Sequence, residues 1–337
     1  MANADVVARD ARGEWQPDDL PKPGALFRWP LVPSAIIKYL FGWGGLLWPF
    51  NILFVGIATL SWLYLTPSME RMSTLNFDWI ALIYLRNACI LTLFAGGLHL
   101  HLYTRKRQGK KYKYSSKWLA KEDKKFLFNN QVWDNIFWSL AGGCVVWTGY
   151  EVLSMWAYAN DFLPFVVDWT SRPVYCVLLM IGMLLYRQFH FYWIHRFTHW
   201  KPLYKTVHYL HHKNINIGPW SGIAMHPIEH ILFFSGVLLY WIIPAHPLHA
   251  LAHLMHAGLN PARGHTGFYK VVVNDQAKAK EKSLTSGSYF HYLHHRLFTV
   301  NFGGEGVPLD KWFGSFHDGT PEAQAAMLAR REVRSRQ

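Results

Sequence analysis

Residues 195–212 of this 337-residue chain read HRFTHWKPLYKTVHYLHH and contain five of its nineteen histidines. They hold the pattern H-x-x-x-H at 195–199 and the pattern H-x-x-H-H at 208–212, and residues 291–295, HYLHH, repeat the second pattern. On a helix, positions i, i+3 and i+4 lie on one face. The spacing therefore predicts that three helical segments bring eight imidazoles together: His195, His199, His208, His211, His212, His291, His294 and His295.

Eight convergent imidazoles indicate a metal centre with two ions. A structural zinc takes four ligands, which usually include thiolates, whereas imidazole also binds iron, copper and nickel. The apolar stretches offer none of the paired glutamates that soluble carboxylate-bridged di-iron bundles use. A single buried histidine is usually structural, but three clustered patterns, two of them identical pentapeptides, favour one shared centre. Spacing alone leaves the identity of the metal open.

Further histidines are candidates to complete the ligand set. His256 and His265 frame the polar segment HAGLNPARGH, and we predict both as metal ligands. His226, His253 and His190 are candidates either as ligands or as hydrogen-bond partners that orient the ligands.

The composition places these motifs on a membrane protein. Hydrophobic residues make up 51% of the chain and charged residues 16%, whereas soluble domains carry about 25% charged residues. So apolar a chain is not disordered, and three cysteines do not make a disulfide scaffold. Four stretches are long and apolar enough to cross a bilayer: 41–65, 79–103, 136–159 and 174–195. Residues 227–259 are also apolar, but Pro244 and Pro247 interrupt them, which predicts a helical hairpin in the membrane.

The loop charges predict the topology and the division of the chain. Residues 104–125 hold ten lysines or arginines against two acids, so this loop is expected in the cytoplasm. The net charge of +13 then fits a membrane surface and not nucleic acid. The predicted parts are a cytoplasmic N-terminal segment at 1–35, transmembrane helices at 36–184, a histidine-rich region at 185–320 and a basic tail at 321–337. A second interpretation of the basic loop is a docking site for an acidic electron donor.

The three histidine patterns resemble those of the fatty acid hydroxylase / sterol desaturase superfamily of integral-membrane non-haem di-iron enzymes. The order matches, and further elements are similar: FYW at 191–193, MHPIE at 225–229, GHTGF at 264–268, NFG at 301–303 and LDKWFGSF at 309–316. The resemblance covers roughly residues 185 to 320. Gln188 departs from it, because the family pattern leads us to expect an acid there. Gln188 and Asn301 are therefore candidates for the metal centre or for groups that support it.

The resemblance implies an all-α integral membrane protein with about four transmembrane helices, a helical hairpin and a cytoplasmic histidine-rich cap. It implies two iron ions that use O2 and two electrons to hydroxylate an unactivated C–H bond of a lipid. Fatty acyl chains, sphingoid bases, sterols and aminolipids all suit it, and desaturation by the same centre is the alternative. The sequence holds no His-Pro-Gly-Gly mark of a fused cytochrome b5, so a separate ferredoxin or cytochrome b5, with its reductase, is the expected electron donor.

Two other classes of protein also place histidines in a membrane. A metal transporter would hold its ions near the bilayer midplane on broken helices, whereas these patterns lie at or beyond the ends of the predicted spans. A b-type cytochrome needs paired axial histidines and has no use for triple clusters. We expect the protein to be an oxygenase. We expect it in a bacterial inner membrane rather than in an endoplasmic reticulum.

Overall fold

The computed structural model describes residues 9–10, 13–163, 167–273 and 282–335. The predicted N-terminal segment 1–35 lies outside these residues at 1–8 and 11–12, and the predicted tail 321–337 does so at 336–337. The described chain forms the helices α1 (Pro33–Phe41), α2 (Phe50–Tyr64), α3 (Met69–Met72), α4 (Phe77–His99), α5 (Gln131–Phe137), α6 (Val145–Ala159), α7 (Pro173–Thr198), α8 (Lys201–Leu203), α9 (Tyr209–His212), α10 (Pro227–Phe234), α11 (Pro247–Gly264), α12 (Tyr289–Leu297), α13 (Leu309–Trp312) and α14 (Pro321–Ser335).

Shorter segments complete the architecture. Single π-helical stretches continue α4, join α5 to α6 and lead into α9, at Leu100–Thr104, Trp138–Cys144 and Tyr204–His208. Turns of 3-10 helix lie at Ala25–Phe27, Leu127–Asn129, Pro219–Ile223 and Ser235–Trp241. The strands β1 (Lys270–Val272) and β2 (Ser283–Thr285) pair antiparallel, with Val271 opposite Leu284. The fold is thus helical apart from this one strand pair in the described residues.

Three continuous helical segments are long and apolar enough to cross a membrane: Phe77–Thr104, Gln131–Ala159 and Pro173–Thr198. The shortest has 26 residues and is roughly 39 Å long at about 1.5 Å per residue, more than the roughly 30 Å of a bilayer's hydrocarbon core. They match the second, third and fourth predicted spans, and the protein is a multi-pass integral membrane protein.

The first predicted span, 41–65, differs in the structure. Helix α1 ends at Phe41 and α2 begins only at Phe50, and the 15 residues of α2 reach roughly 22 Å, too short to cross. The sequence between them explains the break. A side chain at Gly42 would collide with the carbonyl oxygen of Lys38 at 2.3 Å, and Pro49 precedes the new helix.

The predicted hairpin of residues 227–259 forms two helical arms in the structure. Helix α10 and a 3-10 turn make the first arm, and α11 makes the second. Pro247 is the first residue of α11, where its missing N–H costs nothing. Helix α11 is almost wholly buried, and Gly258 lets the Trp147 ring lie where a Cβ atom would come within 2.2 Å of it. The core of the membrane part is therefore built around α11.

A buried ion pair joins two of the crossing helices. Arg86 of α4 pairs with Glu151 of α6, both almost fully buried, and Asn87 donates to the same carboxylate at 3.1 Å. Charged side chains inside a bilayer are costly unless paired. This pair accounts for two of the three charged residues within the predicted spans; the third is Arg187.

Candidate metal centre

The first cluster of imidazoles contains five histidines. His195 lies in the last turn of α7, and His199 directly follows the last residue of that helix. His208 and His212 come from the segment 204–212, and His294 comes from α12. Their candidate ligand nitrogens all lie within 4.8 Å of one another. His199 Nε2 lies 3.0 Å from His208 Nε2, 3.1 Å from His294 Nε2 and 3.2 Å from His212 Nε2.

These separations fit a metal ion with a high coordination number. At a metal–nitrogen distance of about 2.1 Å, two ligands at a right angle lie about 3.0 Å apart and two tetrahedral ligands about 3.4 Å apart. The nitrogens of His212 and His294 are 3.0 Å apart as well. A neutral imidazole has only one N–H to donate. Ring nitrogens crowded at this spacing therefore suit a shared cation better than hydrogen bonds to one another.

The second cluster contains His211, His265, His291 and His295. The Nε2 atoms of His265 and His291 are 2.8 Å apart. Both ring nitrogens of His295 are buried without a hydrogen-bond partner among the described residues. Buried polar groups without partners are rare in proteins, and a bound ion would satisfy one of these nitrogens. The nine imidazoles thus form two sites.

Each H-x-x-H-H pattern serves both sites. Within 208–212, His208 and His212 belong to the first cluster and His211 to the second. Within 291–295, His294 belongs to the first cluster, and His291 and His295 to the second. Adjacent residues on a helix point about 100° apart, so the neighbouring histidines of each pattern diverge. The predicted convergence of each pattern on one point is therefore wrong in detail, although the predicted number of sites agrees.

Backbone carbonyls orient ligands of the first cluster. The Nδ1–H of His195 donates to Phe302 O at 2.6 Å, and that of His294 donates to Val300 O at 2.6 Å. A carbonyl only accepts, so Nδ1 carries the proton in both rings and Nε2 is left as a lone pair. Such a bond from the second ring nitrogen is typical of histidines that bind metal.

Side chains orient two more cluster histidines. His208 Nδ1 lies 2.7 Å from Glu229 Oε1, and Glu229 is buried on the first turn of α10. His265 Nδ1 lies 2.9 Å from Ser221 Oγ. Glu229 was not among the predicted site residues, although the element MHPIE at 225–229 contains it. A glutamate two residues after a proline and close to a histidine pattern was the available signal.

Asp310 supports the centre from a distance. Its carboxylate accepts from the backbone N–H of Phe302 at 2.8 Å and of Gly303 at 2.7 Å, and from Ser315 Oγ at 2.6 Å. These bonds hold the loop whose carbonyl orients His195. Sequence reasoning also missed this residue, which lies in the quoted element LDKWFGSF.

Of the two additional ligands that we predicted, the structure brings only one to a cluster. His265 joins the second cluster, whereas His256 lies outside both. The two are nine residues apart on α11, which turns them about 180° from each other on a helix. His256 instead packs its ring edge against Phe54, with 5.9 Å between ring centroids.

The other candidate histidines also lie outside both clusters in the described chain. His226 caps α10 by accepting from the backbone at 3.2 Å. His190 lies 3.1 Å from Ser235 Oγ, and His253 Nε2 lies 3.5 Å from Arg187 Nη1.

Gln188 and Asn301 have structural roles. Gln188 Oε1 accepts from the backbone N–H of Val307 at 2.9 Å. Asn301 donates to Phe290 O at 3.1 Å and to His317 O at 2.8 Å. Both residues stabilise loops of the cap. None of these hydrogen bonds reaches an imidazole of either cluster.

Burial keeps the imidazoles in the form that binds metal. Desolvation lowers the pKa of His211 to about 3 and the pKa of His199 to about 2. It also lowers the pKa of the remaining buried cluster members beyond α7 well below the ordinary value: His208, His212, His265, His291, His294 and His295. All are neutral near pH 7, and metal ligation requires neutral imidazole.

A cavity of about 410 Å³ opens beside both clusters. Five cluster histidines line one wall: His195, His208, His211, His265 and His291. Apolar side chains such as Leu184, Phe191 and Phe233 line another. This volume is within the usual range for small-molecule sites, about 300 to 1,000 Å³, so an apolar molecule can reach the imidazoles.

Residues 180–315 match the sequence profile of the fatty acid hydroxylase family. Both clusters, Glu229 and Asp310 lie within this region, so the family match and the geometry concern the same residues. No solved structure matches the chain.

Curated relatives are sterol desaturases by name. A Δ(7)-sterol 5(6)-desaturase of Aspergillus fumigatus is 28% identical over 169 residues, 50% of this chain and 44% of that protein. One of Gibberella zeae is 31% identical over 135 residues, 40% of this chain and 36% of that protein. A Δ(7)-sterol-C5(6)-desaturase of Nicotiana tabacum is 28% identical over 161 residues, 46% of this chain and 54% of that protein. The chain thus spans less than half the length of the first two relatives.

We predict that His295→Ala removes about one metal ion per chain, whereas His256→Ala leaves the metal content unchanged. His295 is buried within the second cluster, and His256 is also buried but lies outside it. Elemental analysis of the two purified variants checks this. Equal metal contents in the two variants would contradict the assignment of the second site.

We also predict that Glu229→Ala weakens metal binding by roughly 10- to 100-fold, the usual effect of losing a partner that orients a ligand histidine. Glu229→Gln keeps an acceptor for His208 Nδ1 and should weaken it less. Competition with a chelator measures the affinity, and Glu122→Ala on the exposed loop is the control. A metal affinity of Glu229→Ala equal to that of the control would contradict this role of Glu229.

Proposed function

We propose that this protein is a membrane-bound non-haem di-iron oxygenase that hydroxylates an unactivated C–H bond of a lipid. The observation that supports it is the pair of all-imidazole sites beside one partly apolar cavity, within the residues that match the fatty acid hydroxylase family. Iron bound at these sites would supply the activation of O2.

The protein's own residues would hold, orient and shield the centre. The first cluster would hold one ion and the second cluster the other, with Glu229 and the loop carbonyls fixing the rings. Phe191 and Phe233 would place an alkyl chain next to the imidazoles and exclude water from it.

The overall reaction balances with an external reductant. One lipid C–H bond, one O2, two electrons and two protons give one alcohol and one water. The electrons would come from a separate ferredoxin or cytochrome b5, with its reductase. Eight of the ten basic side chains of loop 104–125 are exposed and could meet an acidic donor, whereas Lys113 is buried and bonds to Asn216 Oδ1 at 3.2 Å.

Desaturation is the second candidate, because the curated relatives are named as desaturases. Removal of two hydrogens from a lipid, with O2, two electrons and two protons, gives one alkene and two waters. The family match favours either oxidation over the metal transporter and the b-type cytochrome. We further propose that the centre faces the cytoplasm of a bacterial inner membrane, with the basic loop on the same side.

We predict that purified protein reconstituted with iron, a lipid extract and an electron donor consumes O2 and oxidises a lipid. Mass spectrometry under 18O2 separates the two reactions, since hydroxylation places one labelled oxygen in the product and desaturation places none. His208→Ala should abolish turnover by removing a ligand of the first cluster. Full activity of that variant would overturn the proposed function.

A further inference from the structure

Arg187 and three histidines, all buried except the half-buried His190, form a second polar group beside the cavity, outside both histidine clusters. They are Arg187 of α7, His190 of α7, and His253 and His256 of α11; we call them the arginine group. Each has a buried nitrogen without a hydrogen-bond partner in the described structure: Nε of Arg187 and Nδ1 of the three histidines. Arg187 Nη1 lies 3.5 Å from His253 Nε2, and Arg187 and His256 line the same cavity, so their unsatisfied nitrogens point to a missing ligand.

Arg187 has no counter-ion among the described residues. Its Nη1 reaches only Phe233 O at 3.4 Å and His253 Nε2 at 3.5 Å, both at the limit of a hydrogen bond. No carboxylate of the described residues pairs with it. The buried Arg86, in contrast, pairs with Glu151. A guanidinium is protonated under all ordinary conditions, so its burial without an anion is costly.

The missing ligand is an anion and not a third metal ion. The permanent positive charge of Arg187 repels cations, whereas a guanidinium binds the oxygens of a carboxylate or phosphate through two parallel hydrogen bonds. Neutral imidazoles next to it can donate further N–H groups. The arrangement therefore suits an oxyanion.

The arginine group and the metal centre share the cavity. Arg187 and His256 line the same cavity as His195 and His291. Arg187 precedes His195 by eight residues on α7, which is roughly 12 Å along the helix axis. Phe191 lies between them on the cavity wall. An amphiphile with an anionic end at Arg187 would thus lay its alkyl chain against the imidazoles.

We propose that Arg187, with His253 and His256, binds the anionic head group of the lipid substrate. The identity of the bound lipid as substrate rests on the proposed function, but the anion site does not. The site selects an acidic amphiphile over a neutral sterol. Because of the distance between Arg187 and His195, the oxidised carbon lies along the chain and not next to the head group.

The test measures the binding of hexadecanoate and of hexadecanol to the metal-free full chain in a non-ionic detergent. Tryptophan fluorescence monitors the binding. The wild type should bind the acid at least ten-fold more tightly than the alcohol. Arg187→Gln should lose this preference and Arg187→Lys should retain part of it. Arg172→Gln, at the exposed start of the same helix, is the control that should retain all of it. Hexadecyl phosphate replaces hexadecanoate in a parallel series, and tighter binding of either anion than of the alcohol supports the site.

Equal affinity of the wild type for the acid, the phosphate and the alcohol would overturn the proposal, as would an unchanged preference in Arg187→Gln. Metal content equal to the wild type shows that a variant is folded. If Arg187→Gln does not fold, the wild-type comparison and Arg187→Lys still decide. Binding needs no turnover, so an acid-selective protein without oxidase activity would contradict only the proposed function. A protein that oxidises lipids without preferring the acid would contradict only the anion site.

Discussion

The structure depends on placing nine neutral imidazoles so that their lone pairs face two small volumes. Ring nitrogens about 3 Å apart, such as those of His199 and His208, cannot all satisfy one another, because a neutral ring has one donor and one acceptor. A cation bound in each volume would stabilise the crowded ring nitrogens by accepting their lone pairs. Burial supports the arrangement by holding the rings neutral, so the low dielectric that disfavours charge on histidine favours ligation by it.

The remaining parts of the cap fix the second nitrogen of these rings. The loop at 300–303 supplies two carbonyls, and Asp310 holds that loop through three hydrogen bonds. Glu229 reaches His208 from the first turn of α10. Helix α11 carries His265 at its C-terminal end and places His253 and His256 on the membrane side, beside Arg187. The imidazoles thus come from the ends of α7 and α11 and from the cap helices, and α7 also lines the cavity that an alkyl chain would enter.

Spacing along the sequence predicted much of this centre. The eight histidines of the three patterns, with His265, all reach a cluster, because i, i+3 and i+4 spacing is local geometry. The division of each pattern between two sites, and the exclusion of His256, depend on how α7, α9, α11 and α12 are oriented to one another, which no single helix encodes. Glu229 and Asp310 were missed because one acid carries no periodic signal. Three spans were predicted from apolar length alone, whereas the glycines and Pro49 broke the first.

The most direct measurement of the central claim is an experimental structure of the iron-loaded protein with anomalous scattering data recorded at the iron edge. The account predicts two peaks, one among the Nε2 atoms of His199, His208, His212 and His294, and one among His211, His265, His291 and His295. A single peak, or peaks outside both groups of imidazoles, would contradict it.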